Sequence, residues 1–119
     1  MCRSVVVKGL EALVLESLLA ARRHGVEEAV LDSLRSLRVD DWRQSAQYMA
    51  SRALRHGARR AEEMREVART VEEAGLSPHM SSACAQWQEW ASAHPALDSL
   101  ELPQLLDGLL AAVPRRGHA

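Results

Sequence analysis

Apolar positions along this 119-residue chain recur at helical spacing in almost every segment, and nowhere do they alternate as a half-buried strand requires. A first helix is predicted from Arg3 to His24, with Gly25 placed as its C′ residue. Arg22, Arg23 and His24 fill its last turn, where cations suit the negative end of the helix dipole. Between Val5 and Ala21 this helix is apolar almost all round, which predicts a central, buried element. A second helix, from Glu27 to Leu37, puts Val30, Leu31, Leu34 and Leu37 on one face. Asp40 reads as the N-cap of a third, from Asp41 to His56, striped with Trp42, Ala46, Met49, Ala53 and Leu54. Gly57 either breaks or bends the chain there, because the helical pattern resumes at Ala58 and continues to Ala74 before Gly75 closes it. That stretch carries Ala61, Met64, Val67, Ala68 and Val71 on one side and the i,i+4 pairs Arg59–Glu63 and Arg69–Glu73 on the other.

Ser77-Pro78 is a start signal for a further helix to His94, with Met80, Ala83, Cys84, Trp87, Trp90 and Ala91 along it and Pro95 as its stop. Pro103 opens a last helix to Val113, carrying Leu105, Leu106, Leu109 and Leu110. The expectation is an all-α bundle of about six helices in one domain, residues 1–113, followed by a flexible tail, 114–119.

Composition narrows the classes. With 47% hydrophobic and 26% charged residues the chain is globular, and a net charge of −1 gives no electrostatic case for nucleic acid or an acidic membrane surface. Lys8, Glu11 and Glu16 interrupt the apolar N-terminal run, so neither a signal peptide nor a membrane span is expected. Cys2 and Cys84 form neither a disulfide framework nor a CxxC pair, which fits reduced thiols in a cytoplasmic protein. Of the cations, fourteen are arginine and one, Lys8, is lysine, while Ile, Asn and Phe are absent. Under the GC-rich coding that this pattern suggests, a retained lysine is either a lone surviving surface cation or a place where a guanidinium does not serve. Unlike arginine, a lysine loses its proton readily when desolvated, and Lys8 stands in the apolar stretch Val5-Val6-Val7-Lys8-Gly9-Leu10.

Three segments, in order, resemble the C-terminal helical domain of the β-hydroxyacid dehydrogenase superfamily, whose 6-phosphogluconate-dehydrogenase-like branch of bacterial NAD(P)-dependent oxidoreductases is the best match. They are MCRSVVVKGLEALVLESL, Met1 to Leu18; Gly25-Val26 with the acidic, Leu-rich helix after it; and Glu63-Met64-Arg65-Glu66-Val67-Ala68 through Gly75-Leu76-Ser77-Pro78-His79-Met80. The resemblance implies a helical bundle paired as a homodimer, a small-molecule substrate, and Lys8 as the group that moves a proton to or from a substrate hydroxyl while a nicotinamide exchanges hydride at the same carbon. Glu11, three residues on, is its candidate partner. The chain departs from the pattern at Cys2 and Ser4, where a glycine-rich approach is usual, at Glu11 and Ala12, where an asparagine is usual, and at Glu63, where a lysine is usual.

No GxGxxG follows a strand, so no Rossmann domain is expected within these residues and no cofactor is expected to bind this chain alone. NAD(P) is implied for a longer enzyme, whose dinucleotide domain would be supplied in cis or in trans. Two readings of another class stay open: a stand-alone helical homodimer acting as an interaction module, and a cofactor-independent enzyme that reuses Lys8 for acid–base work.

Other candidates are weaker. His24, His56, His79, His94 and His118 lack metal-ligand spacing, and His79 stands out only because it starts a helix and has access to a cleft. Arg59, beside Arg60, is a candidate for binding a substrate carboxylate or phosphate, although Glu62, Glu63 and Glu66 nearby favour a solvated salt-bridge face. Trp87 and Trp90 at three-residue spacing suit a core or a subunit interface better than a stacked ligand.

Overall fold

A computed structural model of the chain describes residues 2–37 and 39–114, with the backbone alone at Cys2 and Val5. The expected tail lies outside the described residues apart from Pro114, as do His118 and the Cys2 thiol. Among the described residues all regular structure is helical: α1 (Cys2–Arg23), α2 (Glu27–Ser33), α3 (Trp42–Glu73), α4 (His79–Ser92) and α5 (Leu102–Ala112), with 3₁₀ turns at Leu34–Ser36 and Pro95–Leu97. None of these helices is long and apolar enough to cross a membrane.

The count is five rather than six because Gly57 does not break the chain, and α3 runs through it without interruption. The glycine serves tertiary packing instead. A Cβ built at Gly57 would lie 2.1 Å from the carbonyl oxygen of Gln88 and 3.1 Å from the Cβ of Ser92, so only glycine lets α4 approach α3 this closely. The helix starts also differ by small steps. Asp41, not Asp40, caps α3, its Oδ1 accepting the backbone N–H groups of Arg43 at 3.0 Å and Gln44 at 3.3 Å. The second helix tightens to a 3₁₀ turn before Leu37, where the hydroxyls of Ser33 and Ser36 donate to the carbonyls of Val30 and Ser33.

Gly25 and Gly75 behave as their positions predict, at φ 72° and φ 83°. After α1, Val26 N–H bonds Ala21 O and Gly25 N–H bonds Arg22 O. After α3, Leu76 N–H bonds Val71 O and Gly75 N–H bonds Glu72 O. Both pairs are Schellman closures, which satisfy carbonyls that the helix end would leave without partners. On the exposed side of α3 the ion pairs run backward at i,i+3, Arg65–Glu62 and Arg69–Glu66, the latter in place of the expected Arg69–Glu73.

Two compact units share α3 and α4. The first combines residues 1–38 and 62–85, and its core gathers Ala20, Val71 and Ala74 with Leu76 packed against them. The second combines residues 39–61 and 86–119, and its core is Leu54, Ala91 and Leu105, flanked by Ala50, Ala53, Leu97 and Leu109. Within the second unit Gln47 Nε2 donates to Leu100 O at 2.8 Å, and Arg55 Nε pairs with Asp98 Oδ2 at 3.0 Å.

The expectation that α1 is a buried central helix is overturned for the single chain. Only Ala20 and Ala21 of its described side chains are buried, and Leu15 and Leu19 are 62% and 52% exposed. α1 is apolar almost all round, but the residues that pack on it from its own unit cover only one narrow strip of it.

The Gly57 contact separates two glycine substitutions that helix propensity alone treats alike. Replacing a helical glycine by alanine ordinarily stabilises by about 0.5–1 kcal/mol, and Gly9→Ala, with nothing within 4 Å of the new methyl, is expected to do so. Gly57→Ala is expected to cost about 2–3 kcal/mol by overpacking against backbone. Urea unfolding of both variants checks this, and a Gly57→Ala midpoint at or above wild type contradicts the contact.

Candidate functional site

On α1, positions 8, 11, 12, 15 and 19 fall on one stripe of a 3.6-residue helix. Lys8, Glu11, Leu15 and Leu19 of that stripe are all exposed. Sequence reasoning placed Lys8 and Glu11 one turn apart, and the helix keeps them there, but no ion pair joins them among the described residues. Lys8 is exposed, with Leu15 and Leu19 about two and three turns further along the same stripe.

The orientation of this stripe is set by a carboxylate about two turns further along. Glu16 points across the unit to the first turn of α4. Its Oε1 accepts the backbone N–H of Met80 at 2.9 Å, and its Oε2 accepts the N–H of Ser81 at 2.9 Å and the Ser81 hydroxyl at 2.7 Å. Helix starts leave four N–H groups without internal partners and carry a partial positive charge, so an anion there is doubly favoured. Burial by itself raises the Glu16 pKa. The hydrogen bonds from the Ser81 hydroxyl and the Met80 and Ser81 amides, with the charge of His79, outweigh it and bring the pKa below the ordinary glutamate value. Arg23 adds a second tie, its Nη1 donating to Ala74 O at 2.6 Å.

His79 is exposed and sits beside Glu16, where its charge supports the carboxylate. It is not joined to Lys8. Roughly 12 Å of helix rise separates residue 8 from residue 16. Cys84 is half-buried, and burial together with the Glu16 charge pushes its thiol pKa up, so it is held as an unreactive thiol. Arg59 belongs to the second unit, and Lys8, Glu11 and His79 belong to the first. Around it Arg52, Arg55 and Arg60 share the same stretch of α3 with His56, whose pKa partial burial and these four arginines lower. Arg52 also lies over the Tyr48 ring at 5.5 Å, and Trp90 stands edge-on between Trp87 and His94 at 5.6 Å and 5.3 Å.

Sequence reasoning missed a groove in the first unit. It encloses about 570 Å³ and is walled by Leu10 and Val14 of α1, Leu31 of α2, the following Leu34, and Val67 and Val71 of α3. The stripe bearing Lys8 lies on the opposite side of α1 from these residues. The signal was present in the apolar periodicity of each helix, but which stripes converge is a tertiary fact.

Among the described residues no group of three or more His, Cys, Asp or Glu side chains is placed to hold a metal ion. They also contain no strand, and so no strand–glycine loop–helix turn of the kind that cradles a dinucleotide pyrophosphate. The described residues therefore do not supply that kind of cradle for a nicotinamide cofactor.

The class is thus an all-helical domain with a single lysine on an exposed leucine stripe and an apolar groove behind it. Residues 21–91 match the family described as domain of unknown function DUF1932, and the chain belongs to that family. The family is known as the C-terminal helical domain of NAD(P)-dependent hydroxyacid-dehydrogenase-like proteins. A search of curated proteins finds no match. Among solved structures, the crystal structure of a conserved hypothetical protein from Sinorhizobium meliloti 1021 is similar, with 40% identity over 95% of this chain and a TM-score of 0.52. The chain spans 40% of that protein's length.

Protonating Glu16 removes the acceptor for the α4 amides, which gives the clamp a signature in acid. A group whose folded pKa is depressed contributes stability that is full above its unfolded pKa, about 4.3 for glutamate, and is lost as pH falls through the folded value. Glu16→Gln is expected to cost about 1 kcal/mol at pH 7, at the low end for bonds to a charged group because the carboxylate is only part-buried. The difference from wild type should shrink below about pH 4. Urea midpoints of both proteins from pH 7 to pH 3 check it, and a pH-independent difference contradicts the assignment.

Proposed function

We propose that this chain is the substrate-side and dimerisation domain of an NAD(P)-dependent hydroxyacid-dehydrogenase-like oxidoreductase, with Lys8 as its proton-transfer residue. The observation that carries the reading is the placement of Lys8. The chain's lone lysine stands on a stripe with Glu11 and with Leu15 and Leu19, two apolar side chains left uncovered, in a domain of the family known as the helical part of hydroxyacid-dehydrogenase-like proteins. An apolar stripe left open on a helix is a surface built to be covered. Covering it removes water from the ammonium and favours the neutral amine, the form that accepts a proton from a substrate hydroxyl. Glu11, one turn away, is placed to orient that amine or to receive its proton. His79, tied to the α4 start through Glu16, lies on a different part of the unit and is assigned a structural role in this reading. Arg59 is assigned to the solvated face of α3.

The hydride-transfer half of the reaction belongs to a dinucleotide-binding domain supplied in cis or in trans, and the substrate is a small hydroxyacid-like molecule. A second reading, a helical homodimer that acts as an interaction module, draws on the same uncovered leucines. The two separate on Lys8, because an interaction module has no use for a deprotonated amine.

With the 119-residue chain alone, NAD(P)H titration followed by fluorescence should give no binding, and micromolar affinity would contradict the division of labour. In a protein that joins this domain to a dinucleotide-binding domain, Lys8→Arg should leave NAD(P)H affinity unchanged. Turnover should fall by about 10²–10⁴-fold, the usual worth of a positioned acid–base group. Unchanged turnover removes Lys8 from the mechanism and favours the interaction module.

A further inference from the structure

Several arginines of this chain are met by a carboxylate close in sequence. Arg35, Arg65 and Arg69 pair with the acid three residues back, and Arg22 pairs with Glu27. The second unit's part of α3, residues 42–61, departs from this habit. It holds Arg43, Arg52, Arg55, Arg59 and Arg60 with His56, and no Asp or Glu. Asp98 meets Arg55 from outside the helix, and Arg59 has a partner of its own. Among the described residues no ion pair holds Arg52 or Arg60.

Tyr48, Arg52, His56 and Arg60 stand at i, i+4, i+8 and i+12, a continuous row of neighbours on the helix surface. Arg52, His56 and Arg60 are half-buried, whereas Arg55 and Arg59 are exposed. The Arg52 guanidinium lies over the Tyr48 ring, 5.5 Å from its centre. Such stacking occupies the face of a guanidinium and leaves its N–H edge for a ligand. Neighbours in the row are about 6 Å apart, inside the Debye length at ordinary ionic strength, so their charges repel. Burial, with the charges of Arg52, Arg59, Arg55 and Arg60, holds the His56 pKa below the ordinary histidine value. Where α4 approaches at Gly57 it brings no counter-charge, its nearest atoms being the Gln88 carbonyl and the Ser92 Cβ.

We infer that the row Arg52–His56–Arg60 binds a small polyanion of the diphosphate class. Its two guanidiniums match phosphate oxygens in pairs, and the imidazole between them offers a further charged donor once protonated. The row extends over about 12 Å of helix axis, longer than one phosphate spans and within reach of two linked ones. A monocarboxylate meets one guanidinium and leaves the rest of the repulsion in place. A single row on one helix, in a chain of net charge −1, is too short to track a nucleic-acid backbone. A bound polyanion reverses the field at His56, which then takes up a proton and adds its charge to the site. The row belongs to the second unit and Lys8 to the first, and the site does not rest on the proton-transfer role proposed above.

The test uses the 119-residue chain with inorganic pyrophosphate as probe, inorganic phosphate as the single-phosphate arm and potassium chloride at equal ionic strength as blank. Calorimetry gives the affinity. Histidine ring resonances give the titration of His56, assigned by its loss in His56→Gln. Circular dichroism and urea midpoints establish that Arg52→Gln, Arg60→Gln and a control, Arg43→Gln, fold. Pyrophosphate is expected to bind and to raise the His56 pKa above its value in chloride, and phosphate should bind more weakly. Arg52→Gln and Arg60→Gln should each weaken pyrophosphate binding by about tenfold or more, the worth of a hydrogen bond to a charged group. Arg43→Gln removes the same charge from the opposite side of α3 and should bind as wild type does. Absence of pyrophosphate binding overturns the site. A His56 pKa that rises equally in chloride, or an Arg43→Gln as weak as Arg52→Gln, reduces the row to general charge and overturns it too. Phosphate binding as tight as pyrophosphate overturns the diphosphate class. None of these outcomes bears on Lys8, which the turnover measurement tests.

Discussion

The bond between Glu16 and the first turn of α4 is the contact on which the geometry of the first unit depends. It ties residues 64 and 65 positions apart, and it takes two of the amide groups that the start of α4 presents. Because a helix turns by about 100° per residue, fixing the direction of Glu16 fixes every other direction on α1. The groove side of the helix is thereby settled, and so is the side that carries Lys8. A slip of one residue would remove the carboxylate from the α4 amides and swing the Lys8 stripe by the same angle. An isolated acid in an apolar helix thus acts as a register pin, a use of buried or part-buried polar groups that purely apolar packing serves poorly.

Small residues inside and large ones outside follow from how closely these helices approach. The buried apolar set among the described residues is mostly alanine, with Leu54, Val71 and Leu105 the larger members. Gly57 takes this furthest, since the Gln88 carbonyl occupies the space of its missing side chain. Helices packed through alanine and glycine bury little area per residue, so the leucines and valines that make up much of the chain's apolar content are left on outer stripes. The apolar surface of α1 and α5 is therefore a consequence of the tight interior and not a separate feature.

Local chemistry made much of the fold legible in the sequence. Gly25 and Gly75 end helices because only glycine enters the left-handed region without cost, and both do so where the pattern placed them. The all-helical class followed from periodicity in the same way. What stayed hidden depended on partners far along the chain. Whether Gly57 breaks a helix or admits a neighbour is decided by Gln88, and Glu16 looked like an interruption of an apolar run until Met80 and Ser81 gave it a purpose. Lys8 stood out by composition alone, but periodicity reports that a helix is apolar without saying what covers it. The exposure of α1 was invisible for that reason, as was the convergence of α1, α2 and α3 on one groove.

The two sides of α1 differ in chemistry, and the difference constrains what covers each. The groove side is lined mostly by aliphatic side chains, with Glu16 and His24 among them, so its occupant gains chiefly by apolar, shape-matched burial. The opposite side offers Leu15 and Leu19 with Lys8 and Glu11 among them, so its occupant must bring polar groups to meet an ammonium and a carboxylate or leave room for a polar ligand. One surface cannot lie on both sides of one helix, and one chemistry does not suit both. Both sides of α1 are uncovered within the first unit, with Val14 and Leu10 exposed on one and Leu15 and Leu19 on the other. On the proposed reading they divide cleanly. The cofactor-bearing domain meets the lysine side, where a proton has to move, and the aliphatic side asks only for an apolar cover.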